Sequence, residues 1–174
     1  RMFCEAGELG ERADVSWRVL PVVYDEAALR LEDAIDELKP EVVIALGICD
    51  EPCYRIERVA HNLDDTEVPD NRAEVRRSLR IIEDGPGCYE APYSHVELAR
   101  RLEEKGLPWR FSDSAGGFLC NHVFYHLCRL AASPRRAVHA ATFLHVPPLA
   151  EGDDLGGLIE AIGCAVEAAL DSVS

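Results

Sequence analysis

From residue 15 onward the chain alternates between two hydrophobic periods. Residues 15–24 (VSWRVLPVVY) are rich in β-branched and aromatic side chains and predict a strand. Asp25 then stands where a helix cap is wanted, and Ala28, Leu31, Ile35 and Leu38 fall on one face of a helix that Lys39-Pro40 ends. Residues 42–46 (VVIAL) form a continuous apolar run stopped by Gly47, the pattern of a central parallel strand covered on both faces. Residues 55–62 predict another strand. Residues 63–92 carry Asp, Gly and Pro with little periodicity and predict a long irregular excursion, and loops of that length commonly carry function.

Regular patterning resumes at Ser94. Ser94-x-x-Glu97 is a capping-box spacing, followed by Val96, Ala99 and Leu102 at helical intervals and a closing Gly106. Residues 107–112 predict a short strand, 120–132 a helix and 137–146 (AVHAATFLHV) a strand. Residues 155–173 predict a last helix with Leu158, Ile159, Ile162, Val166, Ala169 and Leu170 as its apolar stripe. Strands alternating with helices over short connections predict an α/β fold, a single-domain α/β/α sandwich with a largely parallel central sheet. No linker divides the 174 residues, so residues 1–174 are read as one domain.

Charge narrows the partners. The chain has 18 Lys and Arg against 32 Asp and Glu, a formal charge of −14. That balance argues against nucleic acid and anionic lipid, both of which call for clustered basic residues. No apolar run reaches the roughly 20 residues of a membrane helix. Small molecules, peptides and proteins remain. The 7 cysteines are odd in number and lack the spacing of a disulfide scaffold, which predicts reduced thiols and a cytoplasmic setting.

One of those thiols sits in a suggestive place. Ser112-Asp113-Ser114-Ala115-Gly116-Gly117 is a small, glycine-rich turn, and Cys120 falls where the next helix begins. The N–H groups and positive dipole end of a helix favour a thiolate, and the same N–H groups can hold an oxyanion during acyl transfer. Packing is the commoner fate of a cysteine, so a base must be found. His122 lies roughly 200° round the helix from Cys120 and points elsewhere. His126 is on another face, His95 follows a helix cap and is read as solvated, and His61 lies in the irregular middle. His139 and His145 share one strand face, but only His145 is at the carboxyl end, where ligands of open α/β sheets collect. His145 is therefore the preferred base and His139 the structural one. The orienting carboxylate is less determined. Glu57, within Arg55-Ile56-Glu57-Arg58-Val59-Ala60, is the acid least like a casual surface charge, although a glutamate between arginines is more often an exposed ion pair.

Several motifs, in order, resemble one family. They are Ser-x-x-Ala-Gly-x-Phe-x-Cys-Asn-x-x-x-Tyr at 112–125, Glu-Arg-Val-Ala-His-Asn at 57–62, Val-Pro-Asp-Asn at 68–71 and Phe-Leu-His-Val-Pro at 143–147. Asp-Gly-Pro at 84–86 and Ala91-Pro92 fit the same pattern. Together they resemble pyroglutamyl peptidase I, the pyrrolidone-carboxylate peptidase family of cysteine peptidases, from about residue 15 to the end. The resemblance implies a triad of Cys120, His145 and Glu57, with the Cys120 N–H in the oxyanion site. It implies removal of an N-terminal pyroglutamyl residue from peptides, no metal and no cofactor, and a homo-oligomer, a tetramer. Phe118 and Asn62 are the candidate substrate contacts.

The chain departs from that family in three places. The Gly-Phe-x-Pro-Phe-Gly-Gly loop usual near the start has no match in residues 1–10 (RMFCEAGELG), so the natural N-terminal strand and loop are expected to be missing. Ile48 stands where bacterial relatives commonly have Gln, and Glu67 where they often have Arg. Other chemistries are weaker readings. Cys49-x-x-x-Cys53 lacks the spacing and second pair of a zinc site, and Asp64, Asp65 and Asp70 read as solvated loop carboxylates and turn caps rather than a magnesium cluster. Gly116-Gly117 is no dinucleotide fingerprint. The rival functions are a non-catalytic peptide-binding homologue and another thiol amidohydrolase or deamidase.

Overall fold

The computed structural model describes residues 13–149 and 155–173. Helix α1 spans Tyr24–Leu38, and Asp25 and Glu26 lie in its first turn, where carboxylates offset the positive dipole end. The cap position is Val23, with no side-chain cap, so Asp25 acts through charge rather than as the expected cap. Lys39, at φ 48°, turns the chain out of the helix and returns its N–H to the Ile35 carbonyl at 2.9 Å.

Four strands make the main sheet: β1 (Val42–Ile48), β2 (Tyr54–Glu57), β5 (Trp109–Ser112) and β6 (Ala140–Val146), in the order β1-β6-β2-β5. β1 runs parallel to β6, with Val42 opposite Ala140 and Gly47 opposite His145. β2 runs parallel to β5, and only the β2–β6 pairing is antiparallel. β3 (Val59–His61) and β4 (Cys88–Glu90) form a separate antiparallel ribbon.

Alternation along β6 assigns the two faces. Ala141 and Phe143 look towards α1 and the helix α3 (Leu119–Ala131), where Leu31, Ile35, Val123 and Leu127 pack. Leu144 and Val146 look the other way, towards α2 (His95–Glu104) and α4 (Gly156–Val173), where Leu98, Leu102, Ala161 and Ala165 pack. Helices on both faces of a mostly parallel sheet give the predicted α/β/α sandwich.

Several expectations need correction. Residues 15–24 are not a strand: residues 13–21 carry no regular structure, and Trp17 and Val19 are 66% and 83% exposed. Strand propensity is realised only through a ladder, and none of the described strands pairs there. Among the described residues only β6 pairs with β1, which therefore stands at the edge of the described sheet rather than at its centre. The central apolar strand is β6, buried throughout. The single strand expected over residues 55–62 is split at Arg58. Its N–H bonds to the Ser112 carbonyl of the main sheet at 2.8 Å, while its own carbonyl accepts the Ala91 N–H beside β4 at 2.9 Å. The irregular stretch ends earlier than expected, at β4.

Two helix details also differ. Ser94 makes no side-chain cap bond, and the Glu97 carboxylate pairs with Arg100 and Arg101 instead of reaching back to the helix start. Of the expected α4 stripe Ala169 is buried and Leu158 packs on the core, joined there by the small side chains of Ala161, Cys164, Ala165 and Ala168. Ile159, by contrast, is 53% exposed. The six cysteines among the described residues are free thiols.

Candidate active site

The carboxyl end of β6 gathers the chemistry. Gly47 stands directly opposite His145 on β1, and a Cβ on Gly47 would lie 2.9 Å from Cys120 Sγ and 2.8 Å from Phe143 Cζ. Only a glycine lets the thiol settle there, next to the strand that carries His145. Phe143 and His145, two residues apart, share that face, with ring centroids 4.9 Å apart.

Cys120 reaches the site from the first turn of α3, whose N-cap is Phe118. The turn before it depends on its glycines. Gly116 adopts φ 86°, in the left-handed region. A Cβ on Gly117 would fall 2.1 Å from the Asp65 carbonyl oxygen, and the Gly117 carbonyl accepts the Asp65 N–H at 2.9 Å. The N–H groups of the first helical turn have no intrahelical acceptors, so they remain available to an anion.

Glu57 is the last residue of β2 and is wholly buried, as is nearly all of His145. Glu57 Oε1 lies 2.8 Å from His145 Nδ1. A carboxylate oxygen can only accept, so the ring carries its proton on Nδ1 and leaves Nε2 as the basic nitrogen. Burial, then the charge of Glu57, pushes the Cys120 thiol up to about 11, against an opposing pull from Arg55. That burial opposes the thiolate expected at a helix start, so ionising the sulfur calls for a base.

The structure thus brings Cys120, His145 and Glu57 to one face and one end of the sheet. The two candidate contacts sit differently. Phe118 is half-buried and packs edge-on against Tyr24, ring centroids 5.7 Å apart. Asn62 is buried, its Oδ1 accepting the Ile82 N–H at 2.9 Å and its Nδ2 donating to the Ile82 carbonyl at 2.8 Å. Of the departures, Ile48 is 68% exposed and alternates away from Gly47, and Glu67 pairs with Arg77 on the surface. His139 is exposed just before β6. His95 is not solvated as expected: burial pushes it down to about 4.

Sequence reasoning missed a second buried histidine–carboxylate pair. His122 Nδ1 lies 2.8 Å from Asp64 Oδ2, and Arg76 Nη1 approaches the same oxygen at 3.2 Å. Asp64 is fully buried, not a solvated loop acid, because these two partners offset its charge. Asp70 does cap a turn, accepting the N–H groups of Arg72 and Glu74 at 2.8 and 2.9 Å. Asn121 was also passed over. It accepts the His61 N–H and donates to the carbonyls of His61 and Leu63, at 2.8–2.9 Å.

Fold and site together define a class: a mostly parallel α/β sheet with a helix-start cysteine beside a buried histidine–carboxylate pair, an arrangement suited to acyl transfer through a thiol. The family model for pyroglutamyl peptidase matches residues 5–163, and the chain belongs to that family. It is 38% identical over 135 residues to a pyrrolidone-carboxylate peptidase of an Enterobacter species, covering 77% of this chain and 62% of the relative. The match to the pyrrolidone-carboxylate peptidase of Bacillus cytotoxicus is 36% identical over 133 residues, 76% of this chain and 61% of the relative. The chain therefore spans less than two thirds of the length of these relatives.

Among solved structures, a mutant pyrrolidone carboxyl peptidase from the hyperthermophile Pyrococcus furiosus superposes with a TM-score of 0.85 at 30% identity, covering 90% of this chain and 82% of that one. Pyroglutamyl peptidase I from Bacillus amyloliquefaciens gives 0.81 at 26% identity, covering 87% and 76%.

Proposed function

We propose that this chain removes an N-terminal pyroglutamyl residue from peptides, with Cys120 as nucleophile, His145 as base and acid, and Glu57 as the carboxylate that orients the ring. The observation carrying this reading is the buried Glu57–His145 pair at 2.8 Å, with the Cys120 sulfur seated over Gly47 beside it. Burial disfavours a free thiolate, so His145 Nε2 takes the thiol proton as Sγ attacks the pyroglutamyl carbonyl carbon. The oxyanion meets N–H groups at the start of α3, including that of Cys120. His145 returns the proton to the departing amine as the carbon–nitrogen bond breaks. It then accepts a proton from the water that cleaves the thioester, and pyroglutamate and the thiol are released.

Phe118, at the entrance to α3, is the proposed apolar contact for the ring. The Asn62 amide serves the substrate side through the loop it holds at Ile82. The whole of residues 1–174 acts as one domain in this reading, without cofactor or metal, as a homo-oligomer. Among the described residues no helix is long and apolar enough to cross a membrane. Together with the free thiols, that supports a cytoplasmic setting.

The test is release of aminocoumarin from a pyroglutamyl conjugate, with a prolyl conjugate as control. Wild type should cleave the first and spare the second, and Cys120→Ala should cleave neither. An inactive wild type, or an active Cys120→Ala, overturns the reading.

A further inference from the structure

Arg55 has no part in the steps above, yet it bonds both to Glu57 and to the turn that leads into the Cys120 helix. It lies on β2 two residues before Glu57, so both side chains leave the strand on one face, and it stands across the ladder from His145. Arg55 Nε donates to Glu57 Oε1 at 3.0 Å, and Nη2 lies 2.8 Å from the same oxygen. His145 Nδ1 uses that oxygen too, while Glu57 Oε2, equally buried, meets no donor among the described residues. Arg55 Nη2 also donates to the Ser114 carbonyl at 2.8 Å, in the turn that leads into α3. On its outer side Nη1 faces Glu51 Oε1 at 3.4 Å, and Arg110 grips Glu51 at 2.5 and 2.7 Å.

We propose that Arg55 is a positioning residue for this site: its guanidinium holds Glu57 Oε1 against His145, ties that pair to the turn that presents Cys120, and balances the Glu57 charge beside the sulfur. This rests on the reading of Cys120, His145 and Glu57 as the reacting set. The charges facing the Cys120 thiol fit the role. Glu57 and Cys49 disfavour its ionisation, Arg55 favours it, and His145 adjoins across Gly47. Without Arg55 the carboxylate would act on the thiol uncompensated, and ionisation would need a higher pH. A lysine would keep the charge and lose the fork that reaches Glu57 and Ser114 together.

The experiment follows alkylation of Cys120 by iodoacetamide across neutral to alkaline pH, read by peptide mass spectrometry in the intact chain. Arg55→Gln should move the midpoint up by about one pH unit. Arg55→Lys should hold the wild-type midpoint while losing roughly tenfold in hydrolysis rate. Glu51→Gln, at a half-exposed side chain, should move the midpoint down by freeing the Arg55 charge, and it carries the test should Arg55→Gln not fold. A midpoint unchanged in Arg55→Gln, or raised or unchanged in Glu51→Gln, overturns the proposal. Alkylation needs no peptide turnover, so an inactive wild type would count against the peptidase reading alone.

Discussion

The sulfur of Cys120 occupies the place that a side chain on Gly47 would fill, 2.9 Å from where its Cβ would stand. The thiol's position is thus set by an absent methyl group on a neighbouring strand. Gly47→Ala should push the sulfur and the Phe143 ring aside. Misplacement of a reacting atom by about 1 Å commonly costs on the order of a hundredfold in rate. Overpacking should cost about 1–3 kcal/mol in stability. Hydrolysis rates alongside thermal melts check both, and a fully active Gly47→Ala would show that the sulfur does not need this seat.

Glu57→Gln keeps the shape of the carboxylate and removes its charge. The amide no longer compels His145 to carry its proton on Nδ1, and Nε2 loses its fixed role as base. A fall in kcat of roughly a hundred- to ten-thousand-fold is expected, with KM changed little. Steady-state kinetics on the pyroglutamyl conjugate distinguish this from a binding defect, which would appear in KM instead.

The buried thiol also leaves a mark on stability. Folding raises the Cys120 pKa from an ordinary 9.0 to about 11. The folded chain therefore holds this proton more tightly than the unfolded chain. The corresponding stability is complete below about pH 9 and drains away as pH climbs towards 11. Cys128, pushed to about 12 by burial, acts in the same sense at higher pH. Melting temperatures of Cys120→Ser should fall less steeply than wild type over that alkaline window; parallel curves would contradict the shift.

Asp64→Asn tests the second histidine–carboxylate pair. It leaves Arg76 and His122 facing a neutral amide in a fully buried position, and breaking such a group by removing one partner costs about 3–5 kcal/mol. Chemical denaturation should register the loss.

The sequence pointed to the candidate site more fully than it exposed the sheet. Cys120 and His145 could be found because helix starts and strand carboxyl ends are local features with local chemistry. Glu57 was harder, since its burial depends on Arg55 and on the chain leaving the main sheet at Arg58, neither of which has a periodic signature. β1 read as central because an apolar run shows that a strand is covered and says nothing of how many neighbours pair with it. Residues 15–24 had strand composition without a ladder. The Asp64–His122 pair was invisible because it joins an aperiodic loop to a helix 58 residues away.

Helix α3 has one further consequence through the loop wrapped round its start. Asn121 clasps the chain at His61 and Leu63, His122 meets Asp64, and Tyr125 Oη donates to the Pro86 carbonyl at 2.8 Å. The loop is thus buckled at entry and exit to the same spindle that bears the thiol. Its outer span is fastened to α1 instead, where Asp70 accepts the Tyr24 N–H and Arg72 pairs with Glu26. The buckles at 61–64 and 86 therefore move with the thiol-bearing helix, while the span between them moves with α1.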